Sequence, residues 1–199
     1  MKLFYEWDTR QINKRNEELC GDSVEIMKHS DSVTVALSDG LGSGVKANIL
    51  ATLTTQIAIN MLENQLPIEE VVQTLTETLP VDRQRKMAYS TFAIAQFFTN
   101  GTARIAEFDT PRTILLRNRK IMELDYNEQE IEGKKIYQAM VNLENGDWIV
   151  FVSDGVLNAG IGGVYPLGWG WDEASRFVES KAHQKLSAGG LSDKIAETV

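Results

Sequence analysis

The sequence predicts an α+β fold, a layered sandwich of antiparallel sheet and helices. Three observations lead there. Apolar runs of strand length follow one another through short turns such as Asn100-Gly101 and Asn145-Gly146. The two long helical patterns stand together, between residues 44 and 79, and do not alternate with strands. The runs Val33-Thr34-Val35-Ala36-Leu37 and Trp148-Ile149-Val150-Phe151-Val152 each end on Ser-Asp-Gly, at residues 38–40 and 153–155. Consecutive hairpins with segregated helices argue against a doubly wound parallel sheet.

Taken in order, Leu3 to Trp7 reads as a first short strand, and residues 8 to 21 are polar. Gly21-Asp22-Ser23 opens a strand over Val24 to Met27, and a turn at His29 to Ser32 leads into Val33 to Leu37. Leu41-Gly42-Ser43-Gly44 introduces a long helix. Its Leu50, Leu53, Ile57 and Met61 recur at three- and four-residue steps, which predicts the buried face. Asn64 to Pro67 breaks that helix. A second runs from Ile68 to Leu79, with Glu69 and Glu70 in the dipole-favoured first turn, and Pro80 stops it. Thr91–Phe98 and Ala103–Phe108 form a hairpin, and Ile114–Leu116 and Ile121–Leu124 flank a basic turn at Arg117 to Lys120. Residues 125–135 are polar and acidic and read as loop. Gln138–Leu143 and Trp148–Val152 read as the last hairpin. The glycine-rich stretch Gly160 to Trp171 follows. Asp172 is then expected to cap a helix from Glu173 to Lys181, and a last helix starts near Leu191. Trp169 and Trp171 pack that region or flank a groove.

The chain has 199 residues, 43% of them hydrophobic, enough for one well-cored domain or a large domain with an appendage. A net charge of −8 opposes nucleic acid as the main partner. The basic clusters at Arg83-Gln84-Arg85-Lys86 and Arg117-Asn118-Arg119-Lys120 are short and lack interleaved aromatics. A single cysteine, Cys20, excludes an internal disulfide and suits a reducing compartment. There is no secretory signal and no membrane-length apolar run, so the reading is a soluble cytoplasmic protein.

Asp22, Asp39 and Asp154 are each expected at a strand end, where a sheet fixes the backbone and the acid supplies charge. An Asp-Gly after a strand is also an ordinary turn signal, and that reading stands beside the metal one. With two histidines and one cysteine in the chain, an oxygen donor set suits Mg²⁺ or Mn²⁺ and not zinc. Gly40, lacking a side chain, lets its carbonyl approach an ion. A carboxylate shared by two ions defines a two-metal hydrolase, in which a bridging hydroxide attacks in line and no covalent nucleophile is needed. Rival chemistries are weaker. Gly40-Leu41-Gly42-Ser43-Gly44 follows a strand and opens a helix, but Val45 breaks the dinucleotide spacing. Ser38 and Ser153 lack the surroundings of a nucleophile elbow. Cys20 and His29 have bland defaults, a small buried hydrophobe and a surface turn residue.

These residues resemble a family. Asp39-Gly40-Leu41-Gly42-Ser43-Gly44 with Val45-Lys46-Ala47, and Gly146-Asp147-Trp148 leading to Ser153-Asp154-Gly155-Val156, are similar to the PPM-type metal-dependent serine/threonine phosphatases. Within these the chain most resembles the bacterial branch typified by the stage II sporulation protein E phosphatase domain. Gly21-Asp22-Ser23 matches that branch's early acidic motif. Asp109, in Phe108-Asp109-Thr110-Pro111-Arg112, stands where the family has the glycine of a Gly-x-Pro turn. The resemblance spans roughly residues 19 to 180. It implies a four-layer αββα sandwich, a centre of two Mn²⁺ or Mg²⁺ ions, and hydrolysis of phosphoserine or phosphothreonine on a protein such as an anti-sigma factor antagonist. It assigns Asp39 to bridge the ions, Gly40 to give one a carbonyl, and Asp22 and Asp154 to complete the other. The helices from Val45 to Leu79 resemble the pair that couples regulation to metal binding. The family's later acidic motif and final strand are not found before Val199, so the expectation is one phosphatase-like domain over 1–199, cut short at its C-terminus. A second expectation follows from that: a catalytically weak domain that binds a phosphoprotein or regulator without turning it over.

Overall fold

The computed structural model describes residues 2–14, 17–79, 81–82, 87–88, 90–162, 166–181 and 186–199. Pro80, the basic run Arg83 to Lys86 and His183 lie outside the described residues. The chain forms two compact units. One comprises Met1–Leu3, Asn13–Thr110 and Asp125–Leu143. The other comprises Phe4–Ile12, Pro111–Leu124 and Glu144–Val199.

The first unit is built on a six-stranded antiparallel sheet. Its strands are β1 (Asp22–Lys28), β2 (Ser32–Asp39), β5 (Phe92–Phe98), β6 (Thr102–Phe108), β9 (Tyr126–Ile131) and β10 (Lys134–Asn142), in the order β1-β2-β5-β6-β10-β9. A short pair, β3 (Val81–Asp82) and β4 (Met87–Ala88), stands apart from it. Helices α1 (Gly44–Glu63) and α2 (Ile68–Thr78) cover one face. The core between them holds Ala36, Phe92, Ile94, Ala106, Phe108 and Ile136 from the strands, with Ala58, Val71, Val72 and Leu75 from the helices.

The buried face of α1 differs from the expected one. Leu53 is 50% exposed, and Leu50, Ile57 and Met61 are only partly buried. The helix instead turns Ala47, Ala51, Thr54, Thr55 and Ala58 to the sheet. Small residues let its backbone come close, and that fit outweighs the larger side chains. Lys134 secures α2 from the sheet side. Its ammonium donates to the Thr76 carbonyl, lies 3.5 Å from that of Leu79, and sits over the Phe108 ring. A cation suits a helix C-terminus.

Residues 125–135 are not loop. They hold β9, the turn Glu132-Gly133 and the start of β10. Both turn residues have positive φ, 50° and 74°, the geometry of a tight two-residue hairpin. The strand is polar because β9 is a sheet edge, where Glu128 and Glu130 face solvent. The expected hairpin of Gln138–Leu143 with Trp148–Val152 is also absent: β10 pairs with β6 and β9. The expected first strand over Leu3 to Trp7 does not form. One backbone bond, from the Leu3 N–H to the Thr99 carbonyl at 2.8 Å, ties its start.

The second unit carries a three-stranded antiparallel sheet, β7 (Ile114–Arg117), β8 (Lys120–Met122) and β11 (Trp148–Val150), in the order β11-β7-β8. Its helices are α3 (Asp154–Leu157), α4 (Gly170–Lys181) and α5 (Ala188–Thr198). Ile114, Val178 and Leu191 form its core, with Trp148 and Trp171 packed on it. Arg117 grips the buried Asp147 carboxylate at 2.7 and 3.0 Å, joining β7 to the turn before β11. α4 starts at Gly170, so Asp172 lies in its first turn and is not its cap. α5 starts at Ala188, with the Ser187 hydroxyl accepting from the Gly190 N–H. The segment before β1 serves that helix. Glu6 accepts from the Ala188 N–H, Asp8 accepts from Ser192, and Arg10 bridges Asp8 and Asp193.

Candidate functional site

The site lies where β1 begins and β2 ends. Asp22 is the first residue of β1 and Asp39 the last of β2, and they are direct cross-strand partners. Such partners on one face have Cβ atoms about 4.5–5.5 Å apart. Their neighbours Ser23 and Ser38 face α1, where Ser23 bonds Thr55 at 2.9 Å. Alternation along a strand therefore turns both carboxylates to the face away from α1.

A hydroxyl network beneath them fixes the corner. The Ser38 hydroxyl, fully buried, lies 2.5 Å from that of Ser90 and donates to the Thr91 carbonyl at 2.6 Å. Thr54 of α1 donates to Ser90 at 3.1 Å. The Thr91 N–H donates to the Asp39 carbonyl at 2.9 Å, and Gly40 bridges Ser90. The first serine of the repeated Ser-Asp-Gly thus braces the backbone that carries Asp39.

Gly40 has a steric reason to be glycine. A Cβ there would meet the Ala47 carbonyl oxygen at 2.1 Å. The Gly40 N–H also donates to the Gly21 carbonyl at 3.2 Å, so the strand ends and α1 close into one corner. Asn48 adds a bond to the Cys20 carbonyl at 2.9 Å. Cys20 feels the acids beside it. Burial raises its thiol pKa, a backbone hydrogen bond at Asp22 lowers it, and the charges of Asp22 and Asp39 raise it further.

Glu17 is a carboxylate that the sequence reading passed over. It accepts from the Ser43 hydroxyl at 2.8 Å, and a Cβ on Gly44 would meet its Oε2 at 2.6 Å. It therefore sits at the N-terminus of α1, where the helix dipole favours negative charge. Its polar surroundings carry no periodic pattern. Only the Gly44 backbone, at φ +70°, points to it in retrospect.

Asp154 does not end a strand. β11 stops at Val150, and Asp154 is the exposed first residue of α3, in the second unit. The run Trp148 to Val152 is only partly strand because Phe151 and Val152 have left the ladder. Elsewhere in that unit, Trp169 is buried against Phe177, 5.3 Å between ring centroids. The Trp171 indole N–H donates to the Arg112 carbonyl at 2.9 Å. The two tryptophans pack, and both also line an open groove with Leu167 and Asp172. Asp109 takes φ +49°, the left-handed conformation that a glycine adopts freely.

The donor set suits a hard divalent cation. Two carboxylates directly opposite on adjacent strands repel, and a cation between them reverses the sign of that interaction. Gly40 places a backbone carbonyl next in the chain. Among the described residues no group of three or more acidic, histidine or cysteine side chains gathers as a metal cluster.

Solved structures share this fold. The PP2C phosphatase domain of SpoIIE from Bacillus subtilis, with a fragment of its regulatory domain, matches at TM-score 0.74 and 17% identity, over 95% of this chain and 55% of that one. RsbX in complex with magnesium matches at TM-score 0.67 and 18% identity, over 94% and 84%. The RsbU and RsbW domains of Rv1364c from Mycobacterium tuberculosis match at 0.67 and 16%, over 94% and 51%. No curated protein matches. The fold is therefore that of the PP2C-type phosphatase domains, and the expected α+β class, antiparallel sheets flanked by helices, is borne out. The profile of the stage II sporulation protein E family matches residues 29–199, and the chain belongs to that family. The matched stretch includes Asp39, Gly40 and Asp154 and leaves Asp22 outside. Among the described residues no helix is long and apolar enough to cross a membrane.

Proposed function

We propose that this chain is a metal-dependent phosphoprotein phosphatase, acting on phosphoserine or phosphothreonine of a regulatory protein. The observation that carries the reading is the cross-strand pair Asp22 and Asp39, followed by Gly40 where α1 docks. The magnesium bound to the related RsbX supports the choice of ion, and Mn²⁺ fits the same donors. When bound, the two ions supply charge neutralisation and an activated water at neutral pH.

In this reading residues 1–199 act as one phosphatase-like domain. Asp39 would serve both ions, Asp22 would hold one of them, and Gly40 would contribute its carbonyl. Asp154 is the third carboxylate of the assignment. The buried hydroxyls of Ser38, Ser90 and Thr54 hold the Asp39 backbone, so the carboxylate is oriented before any ion arrives. The relatives named for RsbX and for RsbU and RsbW domains support a phosphorylated regulator as substrate, and an anti-sigma factor antagonist is the class we assign. The lone Cys20 accords with a cytoplasmic setting.

The test is release of phosphate from a phosphoserine peptide, and from an aryl phosphate, with Mn²⁺ and with EDTA. The reading predicts a rate with Mn²⁺ that EDTA removes and that Asp39→Asn lacks. Tight phosphopeptide binding with no Mn²⁺-dependent rate would instead make the chain a phosphatase-like binding domain.

A further inference from the structure

Helix α5 and the segment before β1 hold each other with little apolar contact of their own. α5 has 11 residues, short of the roughly 12–15 at which an isolated helix persists. Gly189 and Gly190 stand in its first turn, and glycine is the poorest helix former after proline. Its buried residue is Leu191, with Ile195 half-buried beside it. The helix's own sequence puts no acid in the first turn and no base in the last. Residues 4–12 run as irregular chain. Tyr5 is half-buried, while Phe4, Trp7 and Ile12 are exposed. Each supplies what the other lacks. The Glu6 carboxylate accepts from the Ala188 N–H at 3.0 Å, so the acid at the helix N-terminus comes from the segment. Asp8 accepts from the Ser192 hydroxyl, and Arg10 joins Asp8 to Asp193. These contacts are polar and largely open to solvent, so salt weakens them.

We infer that residues 4–12 and α5 form a salt-sensitive latch, one cooperative element that opens without the rest of the chain. Exposed ion pairs add little to a stable core, but they decide an opening whose free energy is small. The ordering is shared. A fixed segment caps the helix, and a formed helix fixes the segment, so a change in either is felt in the other. α4 lacks this dependence, because it carries Asp172 and Glu173 in its own first turn and Lys181 in its last. Opening bares what α5 covers, the apolar cluster of Ile114 on β7 and Val178 on α4. The latch uses neither Asp22 nor Asp39, and it stands whether or not that pair hydrolyses phosphate.

The test is amide hydrogen exchange of the whole chain, read by mass spectrometry at about 50 mM and about 500 mM NaCl, where screening of exposed charges differs strongly. Peptides from residues 4–12 and from α5 should lose protection together, about threefold in the higher salt, while α4 keeps its own. R10Q should cost both regions about threefold in protection at low salt and flatten their response to NaCl. D193N, on the helix, should lower protection in residues 4–12 as well as in α5. Both substitutions fall at solvent-exposed side chains and leave the core untouched. Unchanged α5 protection in R10Q, or a loss in α5 that residues 4–12 do not share, would overturn the inference. So would an equal loss in α4, which would mean that salt opens the whole unit and not a latch.

Discussion

Asp22 and Asp39 are cross-strand partners, placed opposite one another by the antiparallel register of β1 and β2. Strand sterics and the hydroxyl network below set this like-charge pair, and no local turn chemistry requires it. The proposed metal centre rests on this pair. Metal addition should therefore raise the melting temperature of the wild-type chain, because an ion that binds only the folded state stabilises it by mass action. Asp39→Asn should abolish most of that rise. An equal rise in the variant would remove Asp39 from the centre.

Gly40 tests the corner by sterics. Gly40→Ala puts a methyl group on the Ala47 carbonyl, at a separation of 2.1 Å before anything moves. Backbone must shift to relieve it. A loss on the order of 2–4 kcal/mol is expected in urea unfolding, above the usual range for overpacking at its upper end. A variant of wild-type stability would show that α1 is free to retreat.

Glu107 is fully buried and accepts from the Tyr126 hydroxyl at 2.7 Å. Tyr126→Phe removes that donor from a carboxylate in the interior. The expected cost is about 1–3 kcal/mol in urea unfolding. The edge strand β9, which carries Tyr126, should also lose amide protection first.

The Glu132-Gly133 turn predicts a gain. Glu132 holds φ +50°, where asparagine is at home and glutamate is not. Glu132→Asn should stabilise the chain by about 0.5–1 kcal/mol, read as a higher urea midpoint with an unchanged slope. A lower midpoint would mean that the Glu132 charge, which acts on Lys134, matters more than the backbone.

The clasp between the leading segment and α5 gives a pH dependence. The Asp8 carboxyl titrates below its ordinary value of 3.8, chiefly through the Ser192 hydroxyl and also through Arg10. A carboxylate with a lowered folded-state pKa stabilises above the unfolded value, and the contribution fades as pH falls through the folded one. Wild type should therefore melt slightly above Asp8→Asn at pH 6, and the difference should close well below pH 3.8. The effect is small because the pair is solvent-exposed. A difference that persists in acid would assign the contact to packing.

Much of this was legible in the chain itself. Asn100-Gly101 announced its hairpin, and the apolar runs around Val35 and Ile94 read as buried strands because both faces of a central strand are covered. Asp22, Asp39 and Gly40 are candidates from position and chemistry, and the register sets the two acids opposite one another. Other features escaped. β9 is a polar edge strand, so its sequence copies that of a loop. The true face of α1 is made of alanine and threonine, whose weak hydrophobicity is hidden by Leu53 and its exposed neighbours Val45 and Ile49. Pairing was also misjudged at β10, since closeness in sequence suggested β11, whereas β6 and β9 are its neighbours. Asp154 kept its motif but not its setting, because α3 begins where a strand end was expected.

The most direct test of the central claim is crystallography of the chain soaked in Mn²⁺, read by anomalous scattering at the manganese edge. The account predicts a peak bound by the carboxylates of Asp22 and Asp39 that is absent in Asp39→Asn crystals. A saturating soak with no peak at that pair, or one that survives the substitution, would contradict it.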